Sequence, residues 1–416
     1  MSTPTMTNPV PTDRQDERLR TETGVGATVR ASISRVRGGD LGLLPVVAGL
    51  AIIWTIFQLL NPYFLSAANL TNLLMESAPV GVIALGIVFV LLVGEIDLSV
   101  GSMSGLAAAV MGITFVDRGW PLALALLTAI GLAVVVGLVY GVVYNRVGVP
   151  SFVITLAGLL GFLGLQLFVL GPKGTINIPF DSALVRFGQL LFVPAPLAYA
   201  LAAVAAAAVF AGGLLRARSR RQAGLSSAAL SLVLFRAGLL LVVLEFAVWY
   251  VYAARGIGWM FVFFVVLVLV ANYALTRTSW GRSLYAVGGN REAARRAGIR
   301  VGLVYTSAFV VCSTLAAIGG LLAAGRLASA AQSSGGGDVN LNAIAAAVIG
   351  GTSLFGGRGS AYAAVLGILV IQSISSGLTL LNLDSSIRYM VTGAVVLLAV
   401  ALDAVARKSR TSHGRA

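Results

Sequence analysis

Uncharged apolar runs of membrane-crossing length alternate with short polar breaks along most of this chain. Residues 41–60, 119–144 and 147–172 contain no charged side chain. A hydrocarbon core needs roughly 20 apolar residues per helix. Placed by apolar length, the candidate spans are 41–60, 77–94, 98–116, 121–144, 150–171, 195–215, 237–254, 257–276, 303–325, 339–355, 361–381 and 388–404. The expected fold class is all-α, a polytopic integral membrane helical bundle of about 10–12 transmembrane helices. The membrane domain is expected over 41–405. Flanking it are a disordered N-terminal tail at 1–40, too polar to bury a core, and a short C-terminal tail at 406–416.

Two stretches interrupt the pattern. Gly94-Glu95-Ile96-Asp97-Leu98-Ser99-Val100-Gly101-Ser102 places glycines and polar groups between two spans. It predicts a broken or re-entrant helix near 94–102, which survives in a bilayer only where protein or a water-filled cavity satisfies its backbone. Gly350–Ser360 is a second glycine-rich stretch, and its loose similarity to the first suggests internal duplication. Small residues four apart, Gly101/Gly105 and Gly137/Gly141, predict close helix packing.

Composition agrees with this pattern and narrows the function. The chain is 58% apolar and 11% charged, far outside the soluble range. Its only cysteine is Cys312 and its only histidine is His413, in the polar tail. That argues against a disulfide, a resident metal centre and a Ser-His-Asp triad. Neither of the two lysines, Lys173 and Lys408, stands between Gly and Ser or Thr, so no phosphate-cradling P-loop is present. If ATP drives this protein, another chain binds it, and no covalent chemistry is expected of this one.

A formal charge of +14 suggests nucleic acid at first. The distribution says otherwise. With the N-terminus inside, the inner loops and tails hold all but six of the 29 basic residues. That is the positive-inside pattern. It places both termini in the cytoplasm and accounts for the charge by topology. The run Arg216-Ala-Arg-Ser-Arg-Arg221 fits a topology anchor that also meets anionic lipid heads.

The polar stretch 276–305 is more ordered than a loop requires. Six arginines, Arg277, Arg282, Arg291, Arg295, Arg296 and Arg300, hold it on the cytoplasmic side. Gly288 and Gly289 allow a turn with left-handed backbone angles. Asn290 can cap a helix over 291–297 and Gly298 can end it. A short helix lying along the membrane suits transmission of motion from a soluble engine. Arg291, Glu292, Ala293 and Ala294 are then its contact residues, within a coupling loop at 277–302.

Glu95 and Asp97 are ionisable groups near membrane depth. With Ser99 they line a gate, or Asp97 caps the helix that follows; a proton relay is a third reading. Asn340 and Asn342 enter a later span and are candidates for the path, after a polar, glycine-rich segment at 332–338. Glu76 and Glu245 are read as packing or interfacial carboxylates rather than substrate contacts.

At these residues the chain resembles the permeases of bacterial ATP-driven monosaccharide importers, the ribose, xylose, arabinose and galactose group. The matching stretches are GEIDLSVGS at 94–102, GRSLYAVGGNREAARRAGI at 281–299 and AIAAAVIGGTSLFGGRGS at 343–360. The likeness covers roughly 45–405. The run RARSRRQ at 216–222 and the extra apolar run after it look like the xylose-type branch. The resemblance implies a monosaccharide importer of the bacterial cytoplasmic membrane, with a pentose such as D-xylose as cargo. It implies two permease copies, a cytoplasmic ATPase that holds ATP and magnesium, and an external sugar-binding protein. It also implies that 288–298 docks on the ATPase. The long Arg-rich tail is a departure from the family. An ion-coupled secondary transporter or a passive facilitator is the rival reading; neither needs a docking helix.

Overall fold

The apolar runs fold into helices. The computed structural model describes residues 44–384, 386–387, 389–394, 397 and 401. The expected tails and part of the span expected at 388–404 lie outside them. In chain order the main helices are α1 Leu44–Leu60, α2 Ala67–Leu92, α3 Val100–Gly112, α4 Leu122–Val142, α5 Ser151–Leu170, α6 Ala195–Gln222, α7 Leu230–Val251, α8 Trp259–Arg277, α9 Ser279–Gly289, α10 Arg291–Arg296, α11 Val301–Leu327, α12 Gly337–Ile349 and α13 Tyr362–Leu380. Among the described residues, 9 helices are long and apolar enough to cross a membrane, and Val46–Leu60 and Asp338–Ile349 are shorter apolar helices. The only sheet among them is a two-stranded antiparallel ribbon, β1 Thr175–Asn177 with β2 Ser329–Ala331, in which Ile176 faces Ala330.

Several expected spans change: α6 runs on to Gln222 and α7 begins at Leu230, seven residues beyond and before their expected ends at 215 and 237. The helix expected at 77–94 begins ten residues earlier, at Ala67, where the Ser66 hydroxyl accepts from the Asn69 amide at 3.3 Å. The span expected at 339–355 is a helix of 13 residues that stops at Ile349. Gly350 and Gly351 end it, the latter with φ +103°.

The described residues fall into two contact units. The smaller, Val193–Gly256, contains α6 and α7, which pack together. Its basic run lies at the end of α6, where Arg220 Nε donates to the Ser226 carbonyl and Arg221 Nε to the Ser227 hydroxyl. Glu245 is half-buried on α7.

The larger unit is built around α2 and α11. They run antiparallel: Gly319 meets Pro79 and Ile83, whereas Gly86 meets Cys312. Each is followed by a non-helical break and then a helix of 13 residues, α3 after 93–99 and α12 after 328–336. The second break packs on α3, because a Cβ on Gly101 would lie 2.9 Å from the Gly335 carbonyl oxygen and one on Gly105 would lie 2.2 Å from that of Ser334. In this antiparallel arrangement 328–336 follows α11 as 93–99 follows α2. Close approach is bought with small side chains. On α4, Ala125, Ala129, Ala133, Gly137 and Gly141 are all buried at intervals of four. A Cβ at Gly137 would sit 2.4 Å from Val310 Cα on α11. Gly101/Gly105 and Gly137/Gly141 are thus packing positions, as their spacing suggests.

Candidate functional site

The three sequence stretches that carry the family likeness come together at one end of the larger unit. Gly357 donates its amide to the Leu92 carbonyl at 2.9 Å, just before the first break. Tyr285 on α9 donates its hydroxyl to the Gly359 carbonyl at 2.9 Å. Gly288 fits between them: a Cβ there would lie 1.8 Å from the Leu92 oxygen and 2.6 Å from the Gly357 nitrogen. Close backbone approach, not a left-handed turn, is what requires glycine at 288. Gly288 and Gly289 both end α9 as helix, neither has positive φ, and a Cβ on Gly289 would meet nothing within 4 Å.

The helix expected after this turn is present. Asn290 Oδ1 accepts from the Ala293 amide at 2.9 Å, so Asn290 caps α10. Gly298 ends it with φ +83°. Arg291, Glu292, Ala293, Arg295 and Arg296 are exposed, and Ala294 is buried. Glu292 pairs with Arg295 at 2.9 Å and Arg296 at 3.3 Å. Hydrogen bonding from Arg295 holds the Glu292 carboxyl below its ordinary range. Such exposed pairs add little stability, but they fix the charge pattern that this face presents. Ala294 anchors the helix and does not lie on its exposed face.

A line of contacts connects α10 to the first break. The Arg291 guanidinium carbon lies 5.4 Å from the Tyr305 ring centroid. Tyr305 and Tyr144 have ring centroids 4.7 Å apart. Tyr144 donates its hydroxyl to Glu95 Oε1. Glu95 is thus half-buried and engaged toward the α10 side of the break.

Asp97 and Ser99 sit apart from Glu95, in a sealed pocket. Asp97 is 1% exposed. Its Oδ1 accepts from the Ser99 amide at 2.8 Å and the Ser99 hydroxyl at 2.6 Å, while Tyr140 donates to the Ser99 hydroxyl at 2.9 Å. Asp97 Oδ2 lacks a hydrogen-bond partner at normal distance; the Cys312 thiol, a weak donor, is the polar group beside it. Ser99, not Asp97, occupies the N-cap position of α3, and its side chain makes no cap bond. Asp97 instead closes a two-residue turn on Ser99. We expect Asp97→Asn to keep uptake within about twofold, since Asn preserves the acceptor without placing a charge in a dry site. Asp97→Leu should cost about 2–3 kcal/mol by stranding two buried donors. Thermal melting and uptake assays check both. Lost uptake in a stably folded Asn variant would instead show that the charge itself is used.

Asn340 is buried against Gly101 with Oδ1 lacking a partner, and Asn342 is half-buried on α12. Neither is brought to Glu95 by the contacts of this region.

One polar group was not singled out as a site by sequence reasoning. Asn69, Asn72 and Glu76 share a face of α2, and Gln372, Ser376 and Thr379 share a face of α13; none of the six is buried. Gln372 Nε2 donates to Glu76 Oε2 at 2.7 Å, Ser376 donates to Asn69 Oδ1 at 3.0 Å, and Arg326 Nη2 lies 3.8 Å from Glu76 Oε1. The signal was there in the spacing of three and four between residues 69, 72 and 76. Those same polar residues hid the start of α2 from a search for apolar runs.

The profile of the family described as branched-chain amino acid transport system / permease component matches residues 69–400. The chain belongs to this family. It is a multi-pass membrane permease of the sugar-importing type, and the xylose-type likeness is borne out. The permease is 39% identical over 348 residues to the xylose transport system permease protein XylH of Escherichia coli K12, covering 83% of this chain and 87% of that one. It is 34% identical over 377 residues to the XylH of Haemophilus influenzae, covering 90% and 99%. It is 31% identical over 355 residues to the ribose import permease protein RbsC of Bacillus subtilis, covering 85% and 90%. No solved structure matches the permease.

Proposed function

We propose that this permease is the membrane subunit of an ATP-binding-cassette importer that carries a monosaccharide, a pentose such as D-xylose, into the cytoplasm. The observation that carries the reading is the convergence of the capped helix α10 with the first break and the 355–359 loop. A docked ATPase pushing on α10 would move the backbone at Leu92–Glu95 through Gly288, and Glu95 through Arg291, Tyr305 and Tyr144. The names of the relatives, two xylose permeases among them, support the sugar.

In this reading the basic loops and both termini are cytoplasmic. Two permease copies form the membrane unit in the bacterial cytoplasmic membrane. The partner ATPase binds ATP and magnesium, and an external binding protein delivers the sugar. ATP shifts the pair between outward-open and inward-open states by binding them unequally.

Reconstitution in liposomes tests it. Concentrative D-xylose uptake is expected only when ATPase, binding protein and ATP are all present. Proton-driven uptake by the permease alone would establish the secondary transporter in its place, and downhill flux alone would establish the facilitator.

A further inference from the structure

The outer spanning helices of the larger unit expose what lipid wants. Leu127 on α4 is 65% exposed, and Leu160 and Phe168 on α5 are 64% and 83% exposed. The stripe on α2 and α13 breaks that rule. Glu76 lies nine residues into α2, roughly 14 Å along it at 1.5 Å per residue, and its side chain is 47% exposed. Gln372 lies ten residues into α13 and eight from its end. A carboxylate and an amide in mid-helix, met by the Arg326 guanidinium from the last turn of α11, call for water or a polar ligand rather than acyl chains.

We propose that Glu76, Arg326, Gln372, Asn69 and Ser376 form a subsite for the hydroxyl groups of the transported sugar, on a water-filled path along α2 and α13. The subsite rests on the sugar-importer reading. Its chemistry fits a neutral polyol. A sugar hydroxyl donates and accepts, and here Glu76 accepts, Arg326 donates, and Gln372 and Asn69 do both. The Glu76–Arg326 pair cancels its own charge, and at 3.8 Å it is too open to be a closed fork. Direct packing against a second copy fits less well. Tight membrane interfaces use small residues, and this stripe carries Glu, Arg, Gln and Asn. Nothing in the stripe belongs to the α9–α10 end, so altering it should leave ATP hydrolysis coupled to the docking helix.

The test uses introduced thiols in the complete transporter with its ATPase and binding protein. Cys312 is fully buried, so the natural background is silent. Gln372→Cys and Ser376→Cys should react with a charged, water-soluble methanethiosulfonate, and Leu160→Cys on the lipid face should not. D-xylose at roughly ten times its dissociation constant should slow the reaction about tenfold by occupancy. Glu76→Leu should lower uptake at least about tenfold while stimulated ATP hydrolysis stays within about twofold, as expected when a lost contact serves the cargo and not the engine. Failure of both thiols to react, or reaction that sugar does not slow, overturns the subsite even where ATP-driven uptake is intact. Sugar-protected thiols in a transporter that works without ATP would sustain the subsite and remove the importer reading.

Discussion

Gly288→Val is expected to abolish ATP-driven uptake and to destabilise the permease by about 3 kcal/mol or more, the upper range for overpacking. The clash is severe because both opposing atoms, the Leu92 oxygen and the Gly357 nitrogen, are backbone. No rotamer change relieves it. The Gly357–Leu92 hydrogen bond would break, and with it the junction of the three converging segments. Gly289→Val, one residue on, should change stability by only about 0.5 kcal/mol, the scale of an unremarkable surface substitution. Its Cβ enters open space and its φ is helical. Melting of the two purified variants, followed by reconstituted uptake, reads the contrast. Equal behaviour at 288 and 289 would mean that the junction does not constrain the backbone.

Ala293→Glu should give the second large effect, through assembly rather than folding. Ala293 is exposed between Glu292 and the buried Ala294, on a helix that pairs its own acid with Arg295 and Arg296. On the proposed importer reading, a further carboxylate there would have no partner and would be desolvated by the ATPase cleft. At least about tenfold weaker ATPase binding is expected, equivalent to about 1.4 kcal/mol. The variant should still fold, because nothing buried is touched. Ala294→Glu should differ in kind and fail to fold around α10, since it forces a charge into a buried position. A pull-down with the ATPase, beside melting curves, separates the two. Wild-type pull-down by Ala293→Glu would remove α10 from the interface.

What could be read before the structure was local. A break within the expected 94–102 shows in its own glycines and carboxylates, although α3 already begins at Val100. Asn290 and Gly298 mark the ends of α10 because a cap and a left-handed stop are set by neighbours within a turn. What failed depended on residues distant in the chain. The need for glycine falls at 288 rather than 289 because Leu92 and Gly357 approach there, not because of the turn. Asp97 reads equally as a gate or a cap until Ser99, Tyr140 and Cys312 are seen around it. Glu76 reads as a packing or interfacial carboxylate until Gln372 of α13 and Arg326 of α11, hundreds of residues later, meet it. Apolar length alone also misplaced two helix ends: polar residues truncated α2, and apolar residues beyond Gly350 lengthened α12.

The antiparallel pairing of α2 with α11 has a consequence for how the protein is made. α2 is the most enclosed of the long helices, buried at every residue from Gly81 to Leu92, yet the helix that covers much of it emerges from the ribosome over 200 residues later. Until then those side chains must rest against lipid or an insertion factor, which their apolar character permits. The ribbon of β1 with β2 cannot close either, because its second strand follows α11. A nascent chain halted before residue 301 is therefore an inserted but unassembled set of helices, the form that membrane quality control should clear. Completion of the native bundle waits on a late, long-range step.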